Sequence, residues 1–276
     1  MLNANYHTHC KYCHHAIGEV KDYITKAISL NFKEIGMTDH APCIENLCEA
    51  YGDEYARFRK NMLDEDVDNY LSDIDECITK YGKIIKIYKG FETEYLPKGI
   101  EYYKKLRSKV DYLVLGVHYF EHNDKIVVTY DDFNMNCFSI NDYARACVEG
   151  MKSGLYSIMA HPDLFMLAYK NINGERKFDD AARIASRKII ECAVSLGIPL
   201  EINANGLKFK DSYTKDCHEW CYPYYEFWDI VKEYPDAKIL IGADAHNPEF
   251  LDCVNTNLAI KFAKMYGFKV LNLKDE

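Results

Sequence analysis

Short apolar runs rich in Val, Ile and Tyr alternate along the chain with longer segments in which apolar positions recur at helical spacing. The runs predict strands over 3–8, 33–38 (KEIGMT), 84–91 (IIKIYKGF), 111–117 (DYLVLGV), 155–160 (LYSIMA), 198–203 (IPLEIN) and 238–243 (KILIGA). The longer segments predict helices over 19–30, 66–81, 98–108, 139–153, 178–196, 223–233 and 255–266. Seven strand and helix pairs in alternation are the pattern of an α/β protein with parallel strands. EHNDKIVVTYDD, after the fourth strand, reads as an inserted hairpin or loop, and KVLNL near the end as one more short strand.

Length and composition narrow this picture. The 276 residues suit one large α/β barrel or two modest domains. No Pro-, Gly- or Ser-rich break, repeat or low-complexity tract divides them, so a single domain over 1–276 is expected. The formal charge of -9 argues against nucleic acid as the partner, because phosphate backbones select basic faces. The first residues show no basic segment followed by an apolar run, and no apolar stretch would span a bilayer, so a cytoplasmic protein without a membrane partner is expected. Eleven scattered cysteines then read as reduced thiols. Nothing in the pattern specifies an oligomeric state.

The polar residues at the strand ends change the picture most. His7 and His9 close the first run, Asp39 and His40 the second, Glu92 the third, His118 the fourth, His161 the fifth, and Asp244 and His246 the seventh. In a parallel barrel the C-terminal strand ends share one face, so side chains distant in sequence would converge there. His7 and His9, at i and i+2, would point to the same side of a strand and could share an ion. Such a pair alone is often a surface accident, and His118 or His161 could each be a satisfied core histidine. Recurrence at one end of most runs is what solvated residues would not produce. Histidines and acids in this number exceed what one tetrahedral ion can use, which points to several ions.

The segments HTHCKYCHH, TDHAP, GFETEYLP, GVHYF, AHPDLF, EINANGLK and GADAH resemble, in this order and over essentially the whole chain, the PHP (polymerase and histidinol phosphatase) superfamily. TDHAP, the G-x-E-x-x-Y-x-P segment and GVHYF favour its histidinol-phosphate phosphatase branch. The resemblance implies a distorted, TIM-like (β/α)7 barrel with three divalent ions, zinc, iron or manganese, at the strand C-termini. It implies His7, His9, Glu92 and Asp244 on a first ion, a bridging Glu92 with His118 and His161 on a second, and His15, His40 and His246 on a third. His14 is an alternative to His15, which is preferred because it lies six residues after His9.

The implied reaction is hydrolysis of a phosphomonoester, most specifically L-histidinol phosphate in histidine biosynthesis, by a metal-bridging hydroxide, with Asp244, Glu92 and His246 as catalytic residues. The alternative within the same chemistry is another small phosphate ester or a nucleotide; a non-catalytic metal-binding module would be expected to lack ligands. Lys208 is the first candidate for phosphate binding, with Arg57 and Arg59 next, though each would also pass as an ordinary surface charge. Glu201 or Asp163 could read the cationic end of the substrate. Cys10 and Cys13 have C-x-x-C spacing, and Cys217 and Cys221 lie close, but without partner pairs both are read as packing residues. His122 and His218 are read as solvated loop residues.

Overall fold

The computed structural model describes residues 2–42, 62–130, 135–208 and 220–272. Seven parallel strands form one sheet in the order β1 (Ala4–Asn5), β2 (Glu34–Met37), β3 (Lys86–Thr93), β4 (Tyr112–Leu115), β7 (Ile158–Met159), β8 (Leu200–Asn203) and β9 (Ile239–Gly242). The order follows the chain, so the sheet curls. The first and last strands meet through a parallel bridge between Thr8 and Ala245, which nearly closes a barrel. Among the described residues each barrel strand is followed by a helix: α1 (Val20–Ser29), α2 (Val67–Tyr81), α3 (Ile100–Arg107), α4 (Ile140–Lys152), α5 (Asp180–Leu196), α6 (Tyr225–Val231) and α7 (Val254–Tyr266).

Helical periodicity locates these elements well because their ends carry local chemistry. Glu19 and Asp22 form a reciprocal capping box on α1. Asp179 accepts the Ala182 N–H at the start of α5, and Gly197, at φ 65°, ends that helix. Except for β3, which keeps its eight residues but sits two positions later, the strands are shorter than the apolar runs that announce them. In β1 and β7 only two residues stay in the ladder, because the residues that follow turn out of it toward the centre described below.

The inserted segment is a hairpin, β5 (Tyr119–His122) with β6 (Lys125–Val128), and begins two residues earlier than its sequence suggests. Asn123 and Asp124, at φ 51° and 60°, make the turn that antiparallel strands with right-handed twist favour. KVLNL contributes only a bridge from Val270 to Ile239.

Alternation along each strand separates two apolar populations. Ile87 and Phe91 of β3 and Leu113 and Leu115 of β4 join the main core, which Tyr70 and Ile74 of α2 and Leu106 of α3 also enter. The opposite faces give Tyr88, Tyr112, Val114, Ile158 and Leu240 to a small cluster with Ala4 and Tyr6 inside the barrel. Tyr112 Oη donates to the Tyr6 carbonyl at 2.8 Å, tying β4 to the end of β1 across that interior. Gly36 makes room for it, since a Cβ there would stand 1.8 Å from Tyr112 Oη.

A Gly36→Ala chain is expected to lose about 1–3 kcal/mol of stability through overpacking. Tyr112→Phe in the same chain, which removes the colliding oxygen, should recover part of the loss. Urea unfolding of the two variants checks this.

Candidate metal centre

At the C-terminal rim the strand ends bring together His7, His9, His15, His40, Glu92, His118, His161, Asp244 and His246. Glu92 lies in the middle. Its Oε1 is 2.9 Å from His161 Nε2, 3.4 Å from His7 Nε2 and 3.7 Å from His118 Nε2. Its Oε2 is 3.1 Å from His40 Nδ1 and 3.5 Å from His9 Nε2. Asp244 Oδ1 lies 3.1 Å from His9 Nε2, 3.4 Å from His246 Nδ1 and 3.8 Å from His7 Nε2. The His9 ring stacks on both His40 and His246, with centroids 4.2 Å away in each case.

Backbone contacts at the ends of the ladder set these positions. His9 N–H donates to the Ala245 carbonyl and Glu92 N–H to that of Thr38, while His40 bridges to Glu92. His161 and Asp244 have positive φ, 29° and 46°, a conformation that costs non-glycine residues energy and persists only where the surroundings impose it. The hairpin is fastened beside His118 by Thr129, whose N–H donates to the His118 carbonyl and whose Oγ1 donates to that of Val117.

The side chains are oriented as ligands of cations would be. His7 Nδ1 pairs with Glu201 Oε1 at 2.7 Å, and His118 Nδ1 with Glu94 Oε1 at 3.2 Å. His15 Nδ1 donates to the Cys13 carbonyl at 2.8 Å, and His246 Nδ1 to that of Asp244 at 3.1 Å. With Nδ1 held by an acceptor, each ring presents the Nε2 lone pair, as metal-bound imidazoles do. His7 Nε2, both nitrogens of His9 and His161 Nδ1 are buried without a hydrogen-bond partner among the described residues. Orphaned buried nitrogens beside two buried carboxylates fit a site for divalent cations.

The electrostatics agree. Burial opposes the charge on Glu92, yet His7, His118 and His40 hold its carboxyl well below the usual range. Asp244 is likewise held down, against burial, by His7, His9 and His246. Burial also opposes charge on His7 and His9, but Glu201, Glu92 and Asp244 push His7 well up, and Asp244 and Asp39 push His9 up to about 9. Burial and the neighbouring His9 press His40 well down and bring His246 to about 4.

Residues outside the expected ligand set hold it in place. Glu201 is fully buried; its Oε2 accepts the His161 N–H and Asn203 Nδ2–H, while Oε1 faces His7. Gly242 permits this, because a Cβ there would stand 1.7 Å from Glu201 Oε1. Asn203 and Asn205 both donate to Asp244 Oδ2. Asp39 Oδ2 accepts from the N–H groups of Cys10 and Cys13 and from the Cys10 thiol, folding residues 10–13 over the centre. The sequence signal for Asp39 and Glu201 was position alone: one precedes His40, the other opens EIN.

Several expected roles fall differently. Glu201 is engaged with His7 and His161, and Asp163 is fully buried with Oδ2 accepting from Tyr224 N–H and Trp228 Nε1–H, so neither is open to a substrate amine. His15, itself exposed, joins the cluster, its Nε2 3.1 Å from His246 Nε2, whereas His14 is exposed in a left-handed turn with no hydrogen bond, ion pair or ring contact to the cluster among the described residues. His122 is not a free loop residue: it ends β5 and pairs with Asp142 at 2.6 Å. Lys208 is exposed in the turn after β8 that also carries Asn205. Arg57, Arg59, Cys217 and His218 lie outside the described residues.

A family model described as the PHP domain matches residues 5–205. A Schizosaccharomyces pombe protein named "Probable histidinol-phosphatase" is 32% identical over 284 residues, covering 96% of this chain and 87% of its own. A Deinococcus radiodurans protein of the same name is 23% identical over 256 residues, covering 88% of this chain and 85% of its own. Among solved structures, the histidinol phosphate phosphatase of Lactococcus lactis, complexed with zinc, L-histidinol and phosphate, superposes with a TM-score of 0.72 at 19% identity. That match covers 98% of this chain and 96% of the other.

Glu201→Gln is expected to lower metal affinity about 10–100-fold, because the amide no longer fixes the His7 tautomer; titration against a chelator measures it. Cations must displace the proton that His9 holds up to about 9. Affinity of the chelator-stripped protein should therefore rise with pH up to about 9, with protons released on loading at neutral pH. Metal titrations in weakly buffered solution at several pH values check both.

Proposed function

Because the chain belongs to the PHP domain family, we propose that its rim of imidazoles and carboxylates is the active site of a metal-dependent phosphomonoesterase that hydrolyses L-histidinol phosphate to L-histidinol and phosphate. The observation that carries this is the cluster itself, in which one buried carboxylate faces five imidazoles, and Nδ1 of both His9 and His161 is buried without a hydrogen-bond partner among the described residues. The relative with 32% identity supports the substrate, since the likeness runs over 96% of the chain. The zinc, L-histidinol and phosphate carried by the Lactococcus lactis enzyme are in keeping with it. The reaction is a step of histidine biosynthesis, which fits a cytoplasmic enzyme with a small-molecule substrate rather than a nucleic acid or membrane; among the described residues no helix is long and apolar enough to cross a bilayer. We take residues 1–276 as a single barrel domain, since β9, which lies beyond the family match, continues the same sheet.

Three divalent ions, zinc, iron or manganese, fit the donors. His7, His9, Glu92 and Asp244 would hold the first, Glu92, His118 and His161 the second, and His15, His40 and His246 the third. Bound there, such ions acidify water and offset charge on phosphoryl oxygens. The protein's own part is placement. Glu92 directs one oxygen to His7, His118 and His161 and the other to His9 and His40, so its two oxygens divide the cluster. Asp244 keeps Oδ2 on Asn203 and Asn205, leaving Oδ1 toward His9. His246 is fixed through Nδ1 and offers Nε2. We assign the catalytic roles to Asp244, Glu92 and His246, and phosphate contacts to Lys208 at the rim and to Arg57.

Phosphate release from L-histidinol phosphate should exceed that from sugar phosphates and nucleotides. Faster release from another monoester would move the assignment to that substrate. Glu92→Gln and Asp244→Asn should each lower kcat about 100-fold or more and leave less bound metal, measured by elemental analysis.

A further inference from the structure

We propose that Cys13 supplies a thiolate to the ion held by His15 and His246, so that this position takes zinc or another soft acceptor rather than manganese. The inference rests on the three-ion reading above and adds a donor of a different chemical kind.

Cys13 is fully buried in the turn over the centre. A donor atom from each of Cys13, His15 and His246 lies within 4.8 Å of the other two, and Cys13 Sγ also falls within 4.8 Å of donor atoms of His9 and Asp39. One tetrahedral zinc ion would set its sulfur and nitrogen ligands about 3.5 Å apart and two nitrogens about 3.3 Å apart. The Nε2 atoms of His15 and His246 are 3.1 Å apart. Each ring gives its Nδ1 proton to a backbone carbonyl, so in the neutral rings both Nε2 lone pairs face one space. That arrangement is repulsive until an electron-pair acceptor joins them.

His9 supplies an independent sign of a cation. It is fully buried, stacks on His246, and has no well-aligned hydrogen bond to either nitrogen among the described residues, although Nε2 lies 3.1 Å from Asp244 Oδ1. The backbone serves the same end, since the Cys13 carbonyl orients His15 while the side chain of Cys13 turns inward, its thiol donating to the Cys10 carbonyl at 3.2 Å. On coordination the S–H bond breaks, the proton leaves to solvent, and sulfur donates the electron pair it keeps. Cys10, three residues earlier, gives its thiol proton to Asp39 and is the natural control. Thiolate sulfur favours zinc and iron, whereas manganese prefers carboxylate and water oxygens.

The test is to strip the protein with chelator, reload it with cobalt(II), count bound ions, and record the near-ultraviolet spectrum. A sulfur-to-cobalt charge-transfer band that is present in the parent and in Cys10→Ser, but lost in Cys13→Ser with its cobalt still bound, supports the proposal. Bound cobalt without such a band, or a band that survives in Cys13→Ser, overturns it and leaves the metal reading standing. Failure of the parent to bind cobalt, zinc, iron or manganese overturns both. X-ray absorption of the zinc-loaded parent gives the same answer without a variant: a sulfur shell at about 2.3 Å is expected, and nitrogen and oxygen neighbours alone refute it. In competition, Cys13→Ser should lose about tenfold or more of the preference for zinc over manganese.

Discussion

A carboxylate in a protein interior has to be surrounded by positive charge or hydrogen-bond donors, and Glu92 meets that requirement with five imidazoles from four chain segments. Everything else in the architecture can be read from this constraint. Five rings reach one side chain only if the strands run parallel and wrap around it, because parallel strands deliver their ends to one rim. The sheet order, in which each new strand is laid beside the previous one until the last meets the first, is the connectivity that does so with short crossovers.

The surrounding residues then act as a scaffold for the rings. Glu201, Glu94 and two backbone carbonyls each take a histidine Nδ1. Asn203 links Glu201 to Asp244, so His7 at the first strand end and Asp244 at the last are joined through one carboxylate and one amide. The positive φ angles of His161 and Asp244 show that backbone preference has yielded to this placement.

Much of this was legible in the chain itself. The seven helices end close to where periodicity and caps put them, since Asp179 and Gly197 state the limits of α5 locally. The rim cluster was legible because histidines and acids recur at the ends of apolar runs. The supporting residues were harder to see. Glu201 looked like a rim acid available to substrate, and only packing reveals that β9 carries a glycine opposite it and that His7 lies against it. Asp39 stands in the sequence only as a strand-end acid beside His40 with no role of its own, whereas packing shows it gathering the N–H groups of Cys10 and Cys13. The expected runs exceed the ladder in β1, where Tyr6 follows it, and in β7, where Leu155 and Tyr156 precede it, because apolar character extends beyond the hydrogen-bonded residues.

The bridge between Thr8 and Ala245 has a mechanical meaning. β1 meets the end of β9 through the flanks of His7, His9, Asp244 and His246, with the His9 N–H on the Ala245 carbonyl and the Ala243 N–H on the Asn5 side chain. Lower down, a cavity of about 370 Å³ lies among Leu2 and Ala4 at β1, Ile241 of β9, Ala263 of α7 and Phe268. The seam is therefore buttoned by backbone hydrogen bonds at the rim. The contacts that gather His7, His9, Asp244 and His246 are the same ones that join the N-terminal strand to the last, so the shape of the cluster and the closure of the sheet are set together.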